Sequence, residues 1–323
     1  MRGFDNKFKG FPDYILGITK EIWEDRGLGA RMKDYYHEDV IVRAPTGIFV
    51  GEPKMTAATM ANLVEFPDRQ LLGEDVIWSG DTDQGMLSSH RNLSVATDAG
   101  HGVFGRGTGK KLVYRAIADC YAKDNQISDE WLFRDSGAVV RQLGQTPEDW
   151  ARDRIEAEGG VETASRPFTP ADDMVGPYTG RGNDNEFGAR LSHILSRMMQ
   201  AEFSIIERDY DRACHMEYAG GITGHGWAAA DSFWLPIRSA MPNATFKLHH
   251  QIGREDPMMP PRAAVRWSLT GKHDGWGAFG APSGADLYIM GVTHAEFGPR
   301  GLRREYTIYD ETSVWKQILL HKG

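Results

Sequence analysis

Two acidic side chains, Asp119 and Glu130, stand where a β-hairpin would bring them face to face. Asp124-Asn125, between two alternating stretches, is a two-residue hairpin turn signal. Strands pairing across that turn oppose Asp119 to Glu130. Carboxylates held so close repel unless one keeps its proton or a cation intervenes. A carboxyl titrating near neutrality is what a general acid/base requires. The stretch recurs 175 residues later, where His294 falls opposite Glu305. An imidazole oriented by a carboxylate suits a general base. Asp119 and His294 are the candidate proton-transfer groups, with Glu130 and Glu305 as their catalytic partners. The bland alternative is a solvated cross-strand pair, or a glutamate tied to a buried tryptophan.

Period-two alternation puts Val113, Arg115, Ile117, Asp119 and Tyr121 on one face of their strand. That face is more apolar than a solvated one, so it is predicted to be a pocket wall. Arg91 and Arg266 share one position in the two copies. An arginine there could clamp a carboxylate bidentately, or form a structural ion pair. His90 points to the face opposite Arg91, so the two do not line one pocket. His101 and its counterpart Trp276 sit in a Gly-rich turn and are expected at a pocket rim or on a surface loop. Trp131 and Tyr121 complete the expected ligand contacts.

Other signals carry less. The run 105–111, GRGTGKK, lacks the spacing and the Ser/Thr of a phosphate-binding loop. His249 and His250, adjacent on a strand, point to opposite faces, which is poor for one metal. No Ser-His-Asp or Cys-His constellation is legible by motif. No metal ligand set is assigned and no cofactor is expected.

The elements that must position these residues come as a repeat. Residues 100–142 match 275–317 without a gap, sharing Gly100/Gly275, Phe104/Phe279, Glu130/Glu305, Asp135/Asp310 and Gln142/Gln317. The offset extends upstream through Pro67/Pro242 and Arg91/Arg266. A unit of that length is a whole domain, not a solenoid repeat. The spacing predicts helices over 11–36 and 54–65, short strands at 40–44 and 48–50, then antiparallel strands at 69–80, 84–97, 111–123 and 126–135. Helices first and strands after mean an α+β domain. The domains are predicted at 1–143 and 186–323, joined by a linker at 144–185 with a helix near 146–157.

Composition sets the frame. The chain of 323 residues has 41% hydrophobic and 25% charged residues, usual for a globular protein. Its net charge of −8 disfavours nucleic acid or an anionic membrane as the main partner. No apolar run reaches the roughly 18 residues of a membrane span. No signal peptide is visible, and two unmatched cysteines, Cys120 and Cys214, argue against a disulfide framework. The cytoplasm is the expected location.

The order of a helical N-terminus, Phe66-Pro67 before the first long strand, and an Arg in the second is distinctive. Then come His101-Gly102-x-Phe104-Gly105, Gly109-Lys110, Asp129-Glu130-Trp131, Asp135 and Arg141-Gln142-Leu143-Gly144. This resembles the SnoaL-like polyketide cyclases of the nuclear transport factor 2-like fold. The likeness is weaker over 186–318, where Tyr306 replaces the Trp131 type. The resemblance implies tandem cone-shaped α+β barrels, each a curved antiparallel sheet wrapped by N-terminal helices. Its members pair as homodimers, so it implies an intramolecular pseudo-dimer here, with further homodimerisation open. It also implies an Asp at position 119 as proton carrier. The expected function is cofactor-free acid/base chemistry on a small hydrophobic or carboxylate-bearing molecule: a cyclase, isomerase, lyase or hydrolase. The alternatives are a tandem binding protein without catalysis and a scaffold whose pockets are filled by aromatic side chains.

Overall fold

The computed structural model describes residues 1–323. The chain opens with α1 (Phe11–Thr19), a π-helical turn (Lys20–Glu24) and α2 (Ala30–Tyr35). Strands β1 (Tyr36–Ala44) and β2 (Gly47–Val50) precede α3 (Glu52–Glu65). Then come β3 (Gln70–Asp81), β4 (Gly85–Thr97), a small hairpin of β5 (Gly100–Gly102) and β6 (Gly105–Arg106), β7 (Lys111–Lys123) and β8 (Gln126–Arg134). Helices α4 (Ser136–Leu143), α5 (Pro147–Ala157), α6 (Glu186–Met199) and α7 (Ser204–Asp209) follow. The remainder is β9 (Tyr210–Tyr218), β10 (Ile222–His225), α8 (Trp227–Ala240), β11 (Thr245–Arg254), β12 (Arg262–Lys272), β13 (Asp286–Gly298), β14 (Gly301–Tyr309) and α9 (Glu311–Lys322). No helix is long and apolar enough to cross a membrane.

The two six-stranded sheets share one strand order, β2-β1-β8-β7-β4-β3 and β10-β9-β14-β13-β12-β11. They are mixed, not purely antiparallel as expected, because β1 pairs parallel with β8 and β9 with β14. The chain returns to β1 only after crossing the sheet, so those two strands run the same way.

The chain divides into two compact units. Unit 1 holds Met1–Arg134, Val139–Gln145 and Phe168–Gly180; unit 2 holds Asp135–Ala138, Thr146–Pro167 and Arg181–Gly323. The segment read as a linker therefore divides between them. In unit 2, α5 begins as its Thr146 cap and Pro147 dictate, with Thr146 Oγ1 accepting from Asp149 N. In unit 1, residues 168–180 lie along one sheet face, tied by Arg43 to Asp129, Asp173 and the Met174 carbonyl.

In unit 1, α1 packs on the opposite face. Phe11, Tyr14, Ile15 and Ile18 recur at helical spacing and are buried. Each buried apolar side chain of this kind contributes about 1.5–3 kcal/mol. The β7–β8 turn at Asp124-Asn125 has φ of 49° and 69°, the left-handed pair a tight hairpin turn needs.

One irregularity decides which side chains share a face. Across β7 and β8, Lys123 pairs with Gln126 and Ala122 with Ile127, but Tyr121 pairs with Asp129. Ser128 is the extra residue of a β-bulge. Across β13 and β14, Glu296 pairs with Arg304 and Phe297 with Leu302, leaving Arg303 extra. Ser128 and Arg303 are separated by the same 175 residues as every other repeat pair. Beyond each bulge the register slips by one, which turns every later side chain against the expected partner.

Candidate functional site

That slip corrects both expected pairs. Asp119 lies opposite Trp131, and Glu130 lies opposite Cys120. His294 lies opposite Tyr306, and Glu305 opposite Ala295. Asp119 and Glu130 therefore point to opposite faces of their sheet, as do His294 and Glu305.

A cavity of about 250 Å³ lies in unit 1 between the sheet, α1, the π-helical turn and α3. The face that lines it carries Glu130, Leu132 and Arg134 from β8, and Tyr114, Ala116, Ala118 and Cys120 from β7. From β4 come His90, Asn92 and Ser94, and Arg69 enters just before β3. Alternation on three adjacent strands makes this one continuous wall, and its alanines and Ser94 leave the room. Ile15, Ile18, Trp23, Phe49 and Met55 close it from the helical side and from β2.

Glu130 is buried in that wall and accepts a hydrogen bond from Tyr36 Oη at 3.1 Å. Burial pushes its carboxyl up to about 7, against the smaller opposing effects of Tyr36, Arg134 and Cys120. Burial first, then the Glu130 charge, holds the Tyr36 phenol well above its usual range. Cys120 is raised in the same way. Burial pushes the His90 imidazole down to about 4, so it is neutral at pH 7. Its Nδ1 lies 3.3 Å from Ser88 Oγ.

The wall predicted from sequence is the other face of the same sheet. Asp119, Arg91, Tyr121 and Trp131 do not line the cavity. Arg91 Nε donates to Glu74 at 2.8 Å, and the same carboxylate takes Arg115. Trp131 lies under the Arg43 guanidinium at 4.6 Å, and the Tyr121 ring lies 4.9 Å from Tyr178 of the 168–180 segment. His101 is exposed on the small hairpin with φ of 69°, and Trp276 is 70% exposed on its loop. Neither lines the cavity. Arg266 lies on the face of β12 opposite the packed core, with His250 as its neighbour on β11.

In unit 2 the equivalent space is packed with rings. Asn92 is replaced by Trp267, Thr59 by Trp234, Leu71 by Phe246 and Ser94 by Leu269. Trp234 and Trp267 are fully buried with ring centroids 5.7 Å apart, and Phe246 lies 5.9 Å from Trp267. Glu305, the counterpart of Glu130, is saturated: it accepts from Tyr210 at 2.7 Å, Tyr218 at 3.0 Å, Trp234 Nε1 at 3.0 Å and Thr307 at 2.7 Å. Burial still raises its carboxyl, though four donors oppose this. This is the glutamate tied to a buried tryptophan that the sequence allowed as an alternative, with the space around it filled by aromatic rings.

Sequence reasoning missed Arg69, His90, Asn92, Tyr114, Arg134 and Cys120 as one group. The offset itself held a signal: His90, Asn92, Ser94 and Arg134 on this face are matched by Val265, Trp267, Leu269 and Tyr309. Across the whole chain, no cluster of three or more His, Cys, Asp or Glu side chains is arranged to hold a metal.

No protein-family model matches the chain. No curated protein matches it either. Solved structures do. IdmH of Streptomyces antibioticus, provisionally a polyketide cyclase, is 18% identical, with 42% of this chain and 98% of that one covered at a TM-score of 0.36. AclR of Streptomyces galilaeus, provisionally a hydroxylase, is 14% identical over 41% and 84%, at a TM-score of 0.36. A SnoaL-like polyketide cyclase of Agrobacterium tumefaciens is 16% identical over 41% and 97%, at a TM-score of 0.34. Each match spans about one repeat of this chain. Over about two-fifths of its length the chain is similar to these solved SnoaL-like polyketide cyclases.

Proposed function

We propose that unit 1 is a small-molecule enzyme of the acid/base type and that Glu130 is its proton-transfer group. The observation that carries this is a buried carboxyl, pushed up to about 7, in the wall of a cavity of about 250 Å³. At neutral pH such a group is present in both protonation states, as proton transfer in both directions requires. The Glu130 carboxylate takes a proton from the carbon beside a ligand carbonyl. The C–H electron pair becomes the enolate double bond, and the charge moves to the carbonyl oxygen. Neutral His90 on the same wall supplies an N–H donor for that oxygen. Glu130 then returns the proton at the far carbon of a double bond conjugated with the enolate, or the enolate carbon attacks a second carbonyl of the same molecule and the alkoxide so formed takes the proton back from Glu130. Asp119, on the far face, takes no part, and unit 2 is a filled copy.

The test is deuterium exchange at the carbon beside the carbonyl of small ketones and keto acids, followed by NMR in D2O. The full-length protein should exchange it, faster as pH rises through about 7. Glu130→Gln should slow exchange by about 10²–10⁴-fold, the usual contribution of a positioned acid/base. Binding without Glu130-dependent exchange would leave the cavity as a binding site only.

A further inference from the structure

One end of the unit 1 cavity is built for an anion. Arg69 is 8% exposed, and its Nε has no hydrogen-bond partner. Its guanidinium reaches Asn62 Oδ1 and Tyr114, with no carboxylate among its partners. The nearby charge is a second cation, Arg134, and burial together with that cation lowers the Arg69 pKa. A guanidinium in such a place is costly until an anion joins it. Asn92, 6% exposed on the same wall, also has its Oδ1 unpartnered. Buried polar atoms in folded proteins are nearly always paired, so Arg69 Nε points to a missing acceptor. Asn92 Oδ1, itself an acceptor, calls for a ligand donor or for its amide turned about to offer the NH2.

The second repeat shows that the fold does not need these groups. Ala244 stands at the position of Arg69, Tyr309 at that of Arg134 and Trp267 at that of Asn92. The same strand order persists without either cation. The two arginines thus go with the open cavity and are absent where it is filled.

Position fixes the ligand's orientation. Arg134 and Asn92 both pair with Ala116, in one cross-strand row. Glu130 lies four residues back along β8, about 13 Å of extended strand from Arg134. His90 and apolar side chains, Trp23, Phe49 and Leu132, line the wall as well. The volume is that of about eight water molecules, and below the roughly 300–1,000 Å³ of drug-sized sites.

We propose that unit 1 takes a small organic acid, its carboxylate held by Arg69 and Arg134 and an uncharged carbonyl directed toward Glu130. This rests on the reading of unit 1 as a small-molecule site and names its substrate class. It makes the charged group the recognition handle and leaves Glu130 to the reacting end.

The experiment is calorimetric titration of the full chain with 4-benzoylbutyrate, its methyl ester and 4-phenyl-2-butanone. 4-Oxopentanoate and inorganic phosphate are run beside them. The proposal expects at least one keto acid to bind ten-fold or more tightly than the neutral compounds, with affinity falling as salt rises. Arg134→Gln, at the exposed rim, should weaken it about ten-fold, as should Arg69→Gln if its thermal melt shows it folded. Equal binding of acid and neutral compounds, no effect of Arg134→Gln, preference for inorganic phosphate, or no binding of either acid would each overturn the proposal. Failures are separable from those of the acid/base reading. Arginine-dependent binding without Glu130-dependent deuterium exchange removes the enzyme and keeps the anion site. Exchange of neutral ketones as fast as of keto acids, lost in Glu130→Gln and unchanged in Arg134→Gln, removes the anion site and keeps the enzyme.

Discussion

Gly291 lies directly opposite Trp267 across β12 and β13, and a Cβ on it would stand 2.3 Å from the indole Cζ2. The counterpart pair in unit 1 is Ala116 and Asn92. One position thus holds a ring that needs a glycine beneath it, and the other an amide with an alanine and open space. Gly291→Ala is therefore expected to destabilise the protein by about 1–3 kcal/mol, the usual cost of overpacking a core. Ala116→Gly should cost about 1 kcal/mol or less, a strand-glycine effect alone. Paired chemical denaturation curves check the difference.

The reverse exchange tests what the cavity does. Asn92→Trp combined with Ala116→Gly rebuilds the unit 2 packing in unit 1. The variant is expected to stay folded and to lose ligand binding and deuterium exchange altogether. Retention of either would place the site elsewhere.

Glu130 sets a dependence of stability on pH. Its carboxyl is raised from 4.5 to about 7 on folding, so the folded state holds the proton more tightly than the unfolded chain. The stabilisation linked to this proton is full below about 4.5 and lost as pH rises through about 7. Glu130→Gln should match the parent near pH 4 and exceed its stability at pH 8 by about 3 kcal/mol. Melting curves across that range read the crossing directly.

His90 acts in the opposite sense. Burial lowers its imidazole from 6.5 to about 4, so the unfolded chain takes up the proton first. Its contribution is complete above about 6.5 and falls as pH drops toward 4. His90→Gln should flatten the acid limb of the stability profile while leaving the alkaline limb to Glu130.

The Arg43–Asp129 pair, 2.8 Å apart and buried on both sides, fastens the 168–180 segment, since Asp129 also accepts from Tyr178 N at 2.7 Å. Removing Arg43 strands the buried Asp129 charge, so Arg43→Ala should cost about 3–5 kcal/mol and open residues 168–180 to limited proteolysis. Asp129→Asn, which leaves Arg43 its Asp173 partner, should cost less. Unchanged cleavage in a folded variant would mean that another contact holds the segment.

Much of the fold was legible because its causes are local or repeated. Helical spacing at Phe11, Tyr14, Ile15 and Ile18, the Asp124-Asn125 turn and the alternation on β7 each act over a few residues. The 175-residue offset announced two copies of one unit without any coordinates. Which face holds the cavity was a different matter. Counting from the turn opposed Asp119 to Glu130, and a single extra residue, Ser128, reversed that pairing. A bulge depends on how a strand must bend against its neighbours, which local spacing does not encode. The sequence by itself determined the duplication, the elements and their alternation. Only the tertiary structure decided that Glu130, and not Asp119, meets an open cavity with Arg69 and Arg134, because burial and cross-strand register are properties of packed neighbours.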